Sequence, residues 1–330
     1  MNYLSPWIET TNRCNLRCSY CYLEKENIDM GPEVYETMAS QFINFINNGN
    51  IDFIKLRIAG GEPLLVFDKW KEPVDYFLRN AKERGQAELL TNLVKIPEGF
   101  IDYAKSQERL GINVSLDSLV MSKPFPNGKS SSKKVLKNIN KLKDDKDIFI
   151  MTVLTENGRY LPDLAEYITE NKFGWDIQLD KFYEADIDKK AVIENMRKVV
   201  DVFNRKKLPI HEFLLFNFCN FGSRETSCSA GHEMFYINPF GKIYNCQTQE
   251  YGEPITDIND KDILTKLEGN KMERPYLFKC GDCKIEDFCQ GDCPVHNDSK
   301  RREYFCEIME GYFLPAAKNV LEFEKRNPAK

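Results

Sequence analysis

An α/β fold built on a parallel sheet is what this sequence predicts, on three observations. Six short, mainly apolar runs alternate with stretches of helical periodicity between Pro6 and about Lys207, the pattern of repeated βαβ units. The runs are apolar nearly throughout, as expected of strands covered on both faces. Glycines and polar side chains collect just after the runs, at the carboxyl ends of strands, where parallel α/β folds hold ligands.

The first strand, Pro6 to Thr10, delivers the chain into a cysteine loop. A helix follows from Gly31, with Val34, Met38, Phe42, Phe45 and Ile46 on one face. Phe53 to Ala59 is the second strand and ends in Gly60-Gly61-Glu62-Pro63; Trp70 to Arg84 is a helix closed by Gly85. Glu88 to Leu90 is strand-like and ends in Thr91-Asn92, before a helix over Pro97 to Arg109 with proline near its start. Ile112 to Leu116 ends at Asp117, Lys133 to Leu142 is a polar-faced helix, and Ile148 to Leu154 is the fifth strand. Leu161 to Asn171 (helix), Asp176 to Leu179 (strand) and about Asp188 to Arg205 (helix) complete the alternation. Further on, Met234 to Asn238 and Lys242 to Asn245 read as a hairpin around Pro239-Phe240-Gly241, and Ile308 to Glu324 as a closing amphipathic helix.

A length of 330 residues accommodates one large α/β domain plus a smaller appendage, expected here as residues 1–207 and 208–330. Hydrophobic content of 42% and charged content of 29% are those of a soluble globular chain. A net charge of −5 argues against a nucleic-acid partner, which calls for a basic face. The start has neither a cationic nor an apolar signal region, and no apolar run is long enough to span a membrane. The expected location is the cytoplasm, with no membrane partner.

Eleven cysteines in a reducing compartment point to metal or catalysis rather than disulfides. Three of them, Cys14, Cys18 and Cys21, lie within eight residues; eight more fall between Cys219 and Cys306. Three thiolates can hold three irons of a [4Fe–4S] cubane, which ordinarily takes four cysteines. The fourth iron is then open, the feature that separates reactive from structural sites in the parallel case of zinc. The alternative is a zinc knuckle short of one ligand. The three histidines, His211, His232 and His296, share no spacing and read as structural.

Cys-Asn-Leu-Arg-Cys-Ser-Tyr-Cys over residues 14–21 resembles the signature of the radical SAM superfamily. That resemblance implies a (β/α)6 partial barrel, with S-adenosylmethionine on the open iron and a 5′-deoxyadenosyl radical that abstracts hydrogen from substrate. Tyr20 matches the aromatic beside adenine, with a core role as the alternative. Gly60-Gly61-Glu62-Pro63 matches the loop for the methionine part of the cofactor; the glycines admit close backbone approach and the carboxylate is suited to a ligand ammonium. Thr91-Asn92 resembles a short element lining the same pocket, otherwise a common turn pair. Ser115 and Asp117, two apart on one strand face, resemble the family's Ser-x-Asp element; Asp117 is also suited to shaping the turn. The basic residue that commonly follows has two candidates, Lys123 and Lys129, and stays unassigned. Leu154 and Thr155 are placed against adenine or in the core. Gln178 and Asp180 are candidate substrate contacts if their parity is inward, and surface residues otherwise.

Cys228, Cys246, Cys280, Cys283, Cys289, Cys293 and Cys306, with Gly241 between the first two, resemble the seven-cysteine pattern of the SPASM domain. The resemblance assigns Cys219, Cys228, Cys246 and Cys293 to one auxiliary [4Fe–4S] cluster and Cys280, Cys283, Cys289 and Cys306 to another. Crossed ligation of this kind is known in two-cluster ferredoxins. Cys219 lies outside the pattern and is alternatively a spare thiol or a hydrogen donor; a zinc ribbon over Cys280 to Cys293 leaves Cys228 and Cys246 unexplained.

The implied activity is oxidative modification of a peptide or protein side chain, by cross-link formation or dehydrogenation, with a flavodoxin- or ferredoxin-type reductant. Gln247 stands where sulfatase-maturing members carry an Asp base, which counts against that activity. The early first strand leaves no room before it for a leader-gripping winged domain. A separate leader-recognition protein, a leader-independent peptide or a small-molecule substrate therefore stay open. A reading of another class is an iron–sulfur electron carrier or redox sensor, and Gly60-Gly61-Glu62-Pro63 discriminates because a pure carrier needs no methionine-binding loop.

Overall fold

A computed structural model describes residues 2–154, 158–179, 188–216, 230–248, 252–270 and 299–327. It contains β1 (Tyr3–Glu9), α1 (Pro32–Asn47), β2 (Phe53–Ala59), α2 (Phe67–Ala81), β3 (Gly85–Thr91), α3 (Phe100–Ser106) and β4 (Leu110–Ser115). Then follow α4 (Ser132–Ile139), β5 (Ile148–Leu154), α5 (Leu161–Asn171), β6 (Gly174–Leu179), α6 (Lys189–Lys206) and β7 (Leu214–Phe216). The remainder is β8 (Met234–Ile237), β9 (Lys242–Tyr244), β10 (Thr256–Asp257), α7 (Ile263–Gly269) and α8 (Ser299–Arg326).

The ten strands among the described residues form one sheet, in the order β10-β9-β8-β1-β2-β3-β4-β5-β6-β7. From β1 to β7 every neighbour is parallel and the order never reverses. Right-handed crossovers that always step the same way put the connecting helices α1–α6 on the same side of the sheet. The other side becomes concave, and β10 and β7 are left as edges, so the sheet is an open, partial barrel.

Burial follows this geometry. In β3, β4 and β5 fully buried and half-buried residues alternate strictly. Ala87, Leu89, Ile112, Val114, Ile148 and Ile150 join the helix-side core with Phe42, Trp70, Phe77 and Phe203. Residues of the other parity face the concavity and are half-buried, so the expectation of two fully covered faces is corrected: helices cover only one. On the concave floor Lys55 Nζ meets Glu88 Oε1 at 2.9 Å, and Arg57 Nε donates to Ser5 Oγ at 2.8 Å.

The α-helix ends at Ala81, a 3-10 turn over Lys82–Arg84 carries the helical run on to the expected end, and Gly85 both closes that turn and opens β3. A Cβ at Gly85 would lie 2.5 Å from that of Ala81, so glycine lets the strand start directly beneath the helix end. Strands β7 and β10 and helix α7 carry too few residues for a periodic signal, and the sequence does not announce them.

The C-terminal elements are continuous with this scaffold. β8 pairs with β1 in parallel, Trp7 opposite Tyr236, and β9 and β10 extend the sheet antiparallel. Helix α8 packs on α6 so closely that a Cβ on Gly311 would lie 2.6 Å from Ile193 Cγ2. Asn319 of α8 locks the pair: its Nδ2 donates to Asn204 Oδ1 at 2.8 Å, and its Oδ1 accepts Ile210 N–H at 2.8 Å. Strands on either side of residue 207 thus belong to one sheet. Cys219, Cys228, Cys280, Cys283, Cys289, Cys293, Thr155 and Asp180 lie outside the described residues. Among the described residues, no helix is long and apolar enough to cross a membrane.

Candidate active site

The cysteine loop follows β1 and is pinned on two sides. Arg13 pairs with Asp29, Nε to Oδ1 and Nη2 to Oδ2, both at 2.8 Å. Thr11 Oγ1 and Lys69 Nζ donate to the same carboxylate at 2.7 and 2.8 Å. Burial works against that charge, but the bonds from Lys69, Thr11 and Arg13 outweigh it and hold Asp29 below the ordinary carboxylate pKa. On the other side, Arg17 N–H donates to the Pro124 carbonyl at 2.8 Å.

The Gly-Gly turn after β2 lies backbone to backbone against this loop. Gly61 N–H donates to Thr11 O at 2.6 Å and Glu62 N–H to Arg13 O at 2.8 Å. A Cβ on Gly60 would stand 2.6 Å from Thr11 O at a φ of +135°; one on Gly61 would stand 2.3 Å from Arg13 O. Neither position has room for a side chain, so the contact requires both glycines.

Glu62 is 1% exposed and fully engaged within the protein. Its Oε1 accepts Leu64 N–H at 3.1 Å and the Thr91 hydroxyl at 2.6 Å, and its Oε2 accepts Asn92 N–H at 2.8 Å. Burial pushes its pKa up to about 7 against these three donors. Within the protein this carboxylate fastens the turn after β2 to the end of β3. Pro63 begins the short helical turn that follows, and its carbonyl accepts Trp70 Nε1–H at 2.9 Å.

The chain leaving β3 is strained in a defined way. Leu93 has φ +51°, a left-handed conformation uncommon for leucine. Thr91 Oγ1 accepts Leu93 N–H at 2.9 Å, and Asn138 Nδ2 on α4 donates to Leu93 O at 2.9 Å. Asn92 is thereby turned toward the cysteines: its Nδ2 donates to Asn15 Oδ1 at 2.8 Å and lies 3.8 Å from Cys14 Sγ. Leu16 N–H lies 3.4 Å from the same sulfur.

After β4, Asp117 is a buried hub. Its Oδ1 accepts Val153 N–H at 3.0 Å and sits 3.3 Å from Lys123 Nζ. Its Oδ2 accepts the Tyr20 hydroxyl, which in turn accepts a hydrogen bond from Lys123. Lys123 Nζ also stands 4.8 Å from the centroid of the Tyr20 ring. Burial, then the adjacent Asp117, pushes the Tyr20 phenol well above its ordinary pKa, so it stays protonated. Lys123, one of two basic candidates in the sequence, is thus the one inside the site; Lys129 is exposed.

Ser115 stands on the concave face, opposite Met151, which is opposite Asp176. Gln178 shares that face, inward as its parity required, and its Nε2 donates to Asp176 Oδ2 at 2.7 Å. Asp176 is buried and was not singled out in the sequence, although it lies two residues before Gln178 and so shares its face. Leu154 is a correction: it has the opposite parity, is 1% exposed and belongs to the helix-side core. It packs beneath α5, where a Cβ on Gly158 would touch both Leu154 and Leu161 at 2.9 Å. Cys246 and Gln247 follow β9, Gln247 buried and Cys246 half-buried; Cys306 is exposed on α8.

The donor set fits an iron–sulfur cluster. Among the described residues no group of three His, Cys, Asp or Glu side chains is arranged to hold a single metal ion. A cubane takes one thiolate to each of three irons. Amide N–H groups directed at a ligand sulfur, as Leu16 and Asn92 are at Cys14, are characteristic of such clusters. Burial pushes the Cys14 thiol up to about 11 and raises Cys18 too; a bound metal would supply the positive charge that stabilises such thiolates.

A family model described as the Radical SAM superfamily matches residues 8–168. An uncharacterised protein of Methanocaldococcus jannaschii is 29% identical over 85% of this chain and 94% of its own length. The subtilosin biosynthesis protein AlbA of Bacillus subtilis is 26% identical over 74% of this chain, which spans 54% of AlbA. A protein of Methanococcus maripaludis named Probable GTP 3′,8-cyclase is 27% identical over 86% of this chain and 95% of its own. Among solved structures, native anSMEcpe with bound AdoMet and the Cp18Cys peptide superimposes with a TM-score of 0.75 at 20% identity, covering 98% of this chain and 99% of that one. SuiB of Streptococcus suis bound to its precursor peptide SuiA gives 0.65 at 16%, covering 88% and 72%. At these identities the two structures establish the fold.

Proposed function

Residues 8–168 belong to the radical SAM superfamily, and on that premise we propose that the chain is a radical enzyme that oxidatively modifies a peptide or protein side chain. The observation that carries the reading is the seating of the cysteine loop on the Gly60-Gly61 turn, with Asn92 directed at Cys14. Cys14, Cys18 and Cys21 would hold a [4Fe–4S] cluster, which with S-adenosylmethionine would supply the radical chemistry for hydrogen-atom abstraction. The chain's own residues hold and shield that chemistry. Gly60 and Gly61 let backbone approach the ligand, Ser115 presents a hydroxyl on the concave face, and Asp176 and Gln178 line the space for substrate. Glu62 and Asp117 act through position, each tying two segments of the site together.

The eight cysteines from Cys219 to Cys306 are proposed to hold two auxiliary [4Fe–4S] clusters in a SPASM-type domain, which would take up the electron released on substrate oxidation. Cys246 and Cys306 are the described members of that set. AlbA, named for bacteriocin biosynthesis, supports a peptide substrate; a flavodoxin- or ferredoxin-type protein would supply the first electron. A second reading, a small-molecule substrate, is favoured by the relative named Probable GTP 3′,8-cyclase, which matches over nearly its full length.

The test is anaerobic reconstitution with dithionite and S-adenosylmethionine. The expected result is 5′-deoxyadenosine from the wild type, none from Cys18→Ala, and about twelve irons per chain at four per cubane. Absence of 5′-deoxyadenosine from a fully loaded wild type overturns the enzyme reading. Deuterium transfer into 5′-deoxyadenosine from a labelled peptide, as against labelled GTP, separates the two substrate classes.

A further inference from the structure

Between Ser118 and Lys143 the chain carries seven lysines and not one acidic residue, in a protein whose net charge is −5. Lys123 pairs with Asp117, and Lys143 Nζ donates to Asn171 Oδ1 at 3.0 Å. The rest, Lys129, Lys133, Lys134, Lys137 and Lys141, are exposed, and among the described residues none of them forms an ion pair. Other surface lysines are paired, as Lys69 is with Asp29, Lys105 with Asp145 and Lys242 with Asp257. On α4, Ser132, Val135, Asn138 and Ile139 are buried, which leaves Lys133, Lys134 and Lys137 on its outer face. This segment is joined to the cysteine loop. Arg17 N–H donates to Pro124 O at 2.8 Å, and Lys134 Nζ stands 5.6 Å from the ring centroid of the next residue, Phe125. Phe125 N–H in turn donates to Lys129 O at 2.9 Å. Arg17, between Cys14 and Cys18, is itself exposed and has no acidic partner among the described residues; its Nη1 donates to Cys14 O and Leu16 O, both at 2.9 Å. Val120 and Met121, 67% and 56% exposed, lie beside the start of α4, because Ser132 Oγ donates to Ser118 O at 2.9 Å.

We propose that this surface, Arg17 and the five exposed lysines around Val120 and Met121, is the docking site of an acidic electron-carrier protein that reduces the cluster on Cys14, Cys18 and Cys21. The proposal rests on the reading that these cysteines hold a cluster. Position favours a carrier over a substrate: α4 lies on the helix side of the sheet, whereas Ser115 and Gln178 stand on the concave face. One electron leaves the reduced flavin or iron–sulfur group of the carrier and enters the oxidised cluster, with no bond made or broken at the cluster. Electron-transfer encounters bury little surface, less than about 1,200 Å², and complementary charge sets their rate and orientation. A few cations rimming two apolar side chains suit such an encounter.

The experiment drives the full-length reconstituted protein with a photoreduced acidic bacterial flavodoxin and, in parallel, with photoreduced 5-deazariboflavin, a small uncharged reductant. Formation of 5′-deoxyadenosine, flavodoxin binding by titration calorimetry and thermal unfolding are measured for each variant. At about 0.01 M salt, where the Debye length is about 30 Å, K133E/K134E/K137E is expected to lose about tenfold in flavodoxin-driven kcat/KM and in flavodoxin affinity. Its deazariboflavin-driven rate stays at the wild-type value. At about 0.15 M salt, with a Debye length of about 8 Å, the gap between wild type and variant narrows. Glutamate suits the first turn of α4, and K133R/K134R/K137R is expected to behave as wild type. So is K190E/K198E/K318E, which makes the same change of net charge on exposed positions of α6 and α8. An unchanged flavodoxin-driven rate in K133E/K134E/K137E, or an equal loss in the arginine variant, in the α6 and α8 variant or with deazariboflavin, overturns the proposal. So does a wild type that turns over with deazariboflavin and not with flavodoxin. Retention of RNA or of an acidic peptide that is lost in K133E/K134E/K137E, with the flavodoxin-driven rate unchanged, gives the surface to that ligand and overturns it too. Should that variant fail to fold, K129E/K141E leaves α4 intact, and the absence of any loss there overturns the proposal equally. If the wild type forms no 5′-deoxyadenosine with either reductant, the underlying cluster reading fails instead.

Discussion

Glu62 and Thr91, 29 residues apart in the chain, share a buried 2.6 Å hydrogen bond that ties the end of β2 to the end of β3. The bond belongs to a buried carboxylate with three protein donors. Such a group is a fastener first, and its titration is coupled to folding.

The pKa of Glu62 is about 7 when folded against an ordinary 4.5, so the fold prefers the proton. Its stabilising contribution is therefore complete below pH 4.5 and is lost as pH rises through about 7. At 1.36 kcal/mol per unit, the loss is roughly 3 kcal/mol. Urea unfolding of the apo chain between pH 4.5 and 7.5 should show this falling component in the wild type and not in Glu62→Gln. Identical slopes for the two proteins would refute it.

Gly60 and Gly61 differ from Gly49 and Gly99 in what surrounds them. Gly49 and Gly99 also have positive φ, +71° and +74°, but nothing lies within 4 Å of a Cβ there. Gly49→Ala should cost only the backbone term, about 1 kcal/mol. Gly61→Ala has an ordinary φ and a purely steric conflict with the Arg13 carbonyl, and should cost about 3 kcal/mol together with most of the iron. Urea midpoints and iron content after reconstitution check both; a Gly61→Ala protein that loads normally would show that the loop and turn can part without consequence.

Asn138 supports the strained Leu93 from a helix that is remote in sequence. Removing its amide strands the Leu93 carbonyl in a buried site, at a cost of about 2 kcal/mol, and frees Leu93 from its left-handed conformation. Asn92 then loses its aim at Cys14. Asn138→Ala should lower both the urea midpoint and the affinity for S-adenosylmethionine, measured by isothermal titration on the reconstituted protein. A drop in stability with unchanged affinity would confine Asn138 to the scaffold.

Much of this arrangement was legible in the sequence because the relevant signals are local. The runs Phe53–Ala59 and Ile148–Leu154 and the helix Leu161–Asn171 appear at the expected residues, each long enough to carry a period. What sequence could not supply is partnership across distance. Glu62 and Asp117 carry motif carboxylates whose chemistry suits a ligand, and only the fold reveals that Thr91, Asn92, Tyr20 and Lys123 occupy them. Lys123 was visible as a basic residue in a turn-rich segment, but its burial follows from the bend that returns that segment to Tyr20. The strand-end residues were ambiguous for another reason, since parity decides their face and a strand boundary misplaced by one residue reverses it.

Leu154 and Ser115 make the sharpest contrast, because both end parallel strands but on opposite faces. Leu154 is 1% exposed among helix-side core residues, whereas Ser115 is half-buried on the concave face. Leu154→Ala removes buried carbons with no ligand contact and should cost about 3 kcal/mol, leaving the affinity of the folded protein for S-adenosylmethionine within about twofold, ~0.4 kcal/mol. Ser115→Ala should do the reverse. Its loss of one hydroxyl should change the urea midpoint by less than about 0.5 kcal/mol and weaken S-adenosylmethionine binding about tenfold, ~1.4 kcal/mol. Titration calorimetry and urea unfolding on both variants give four numbers, and the crossed pattern is the expectation. If Leu154→Ala weakens binding as much as Ser115→Ala, with both folds intact, then strand parity does not separate cofactor from core here, and the concave face is not the cofactor's wall.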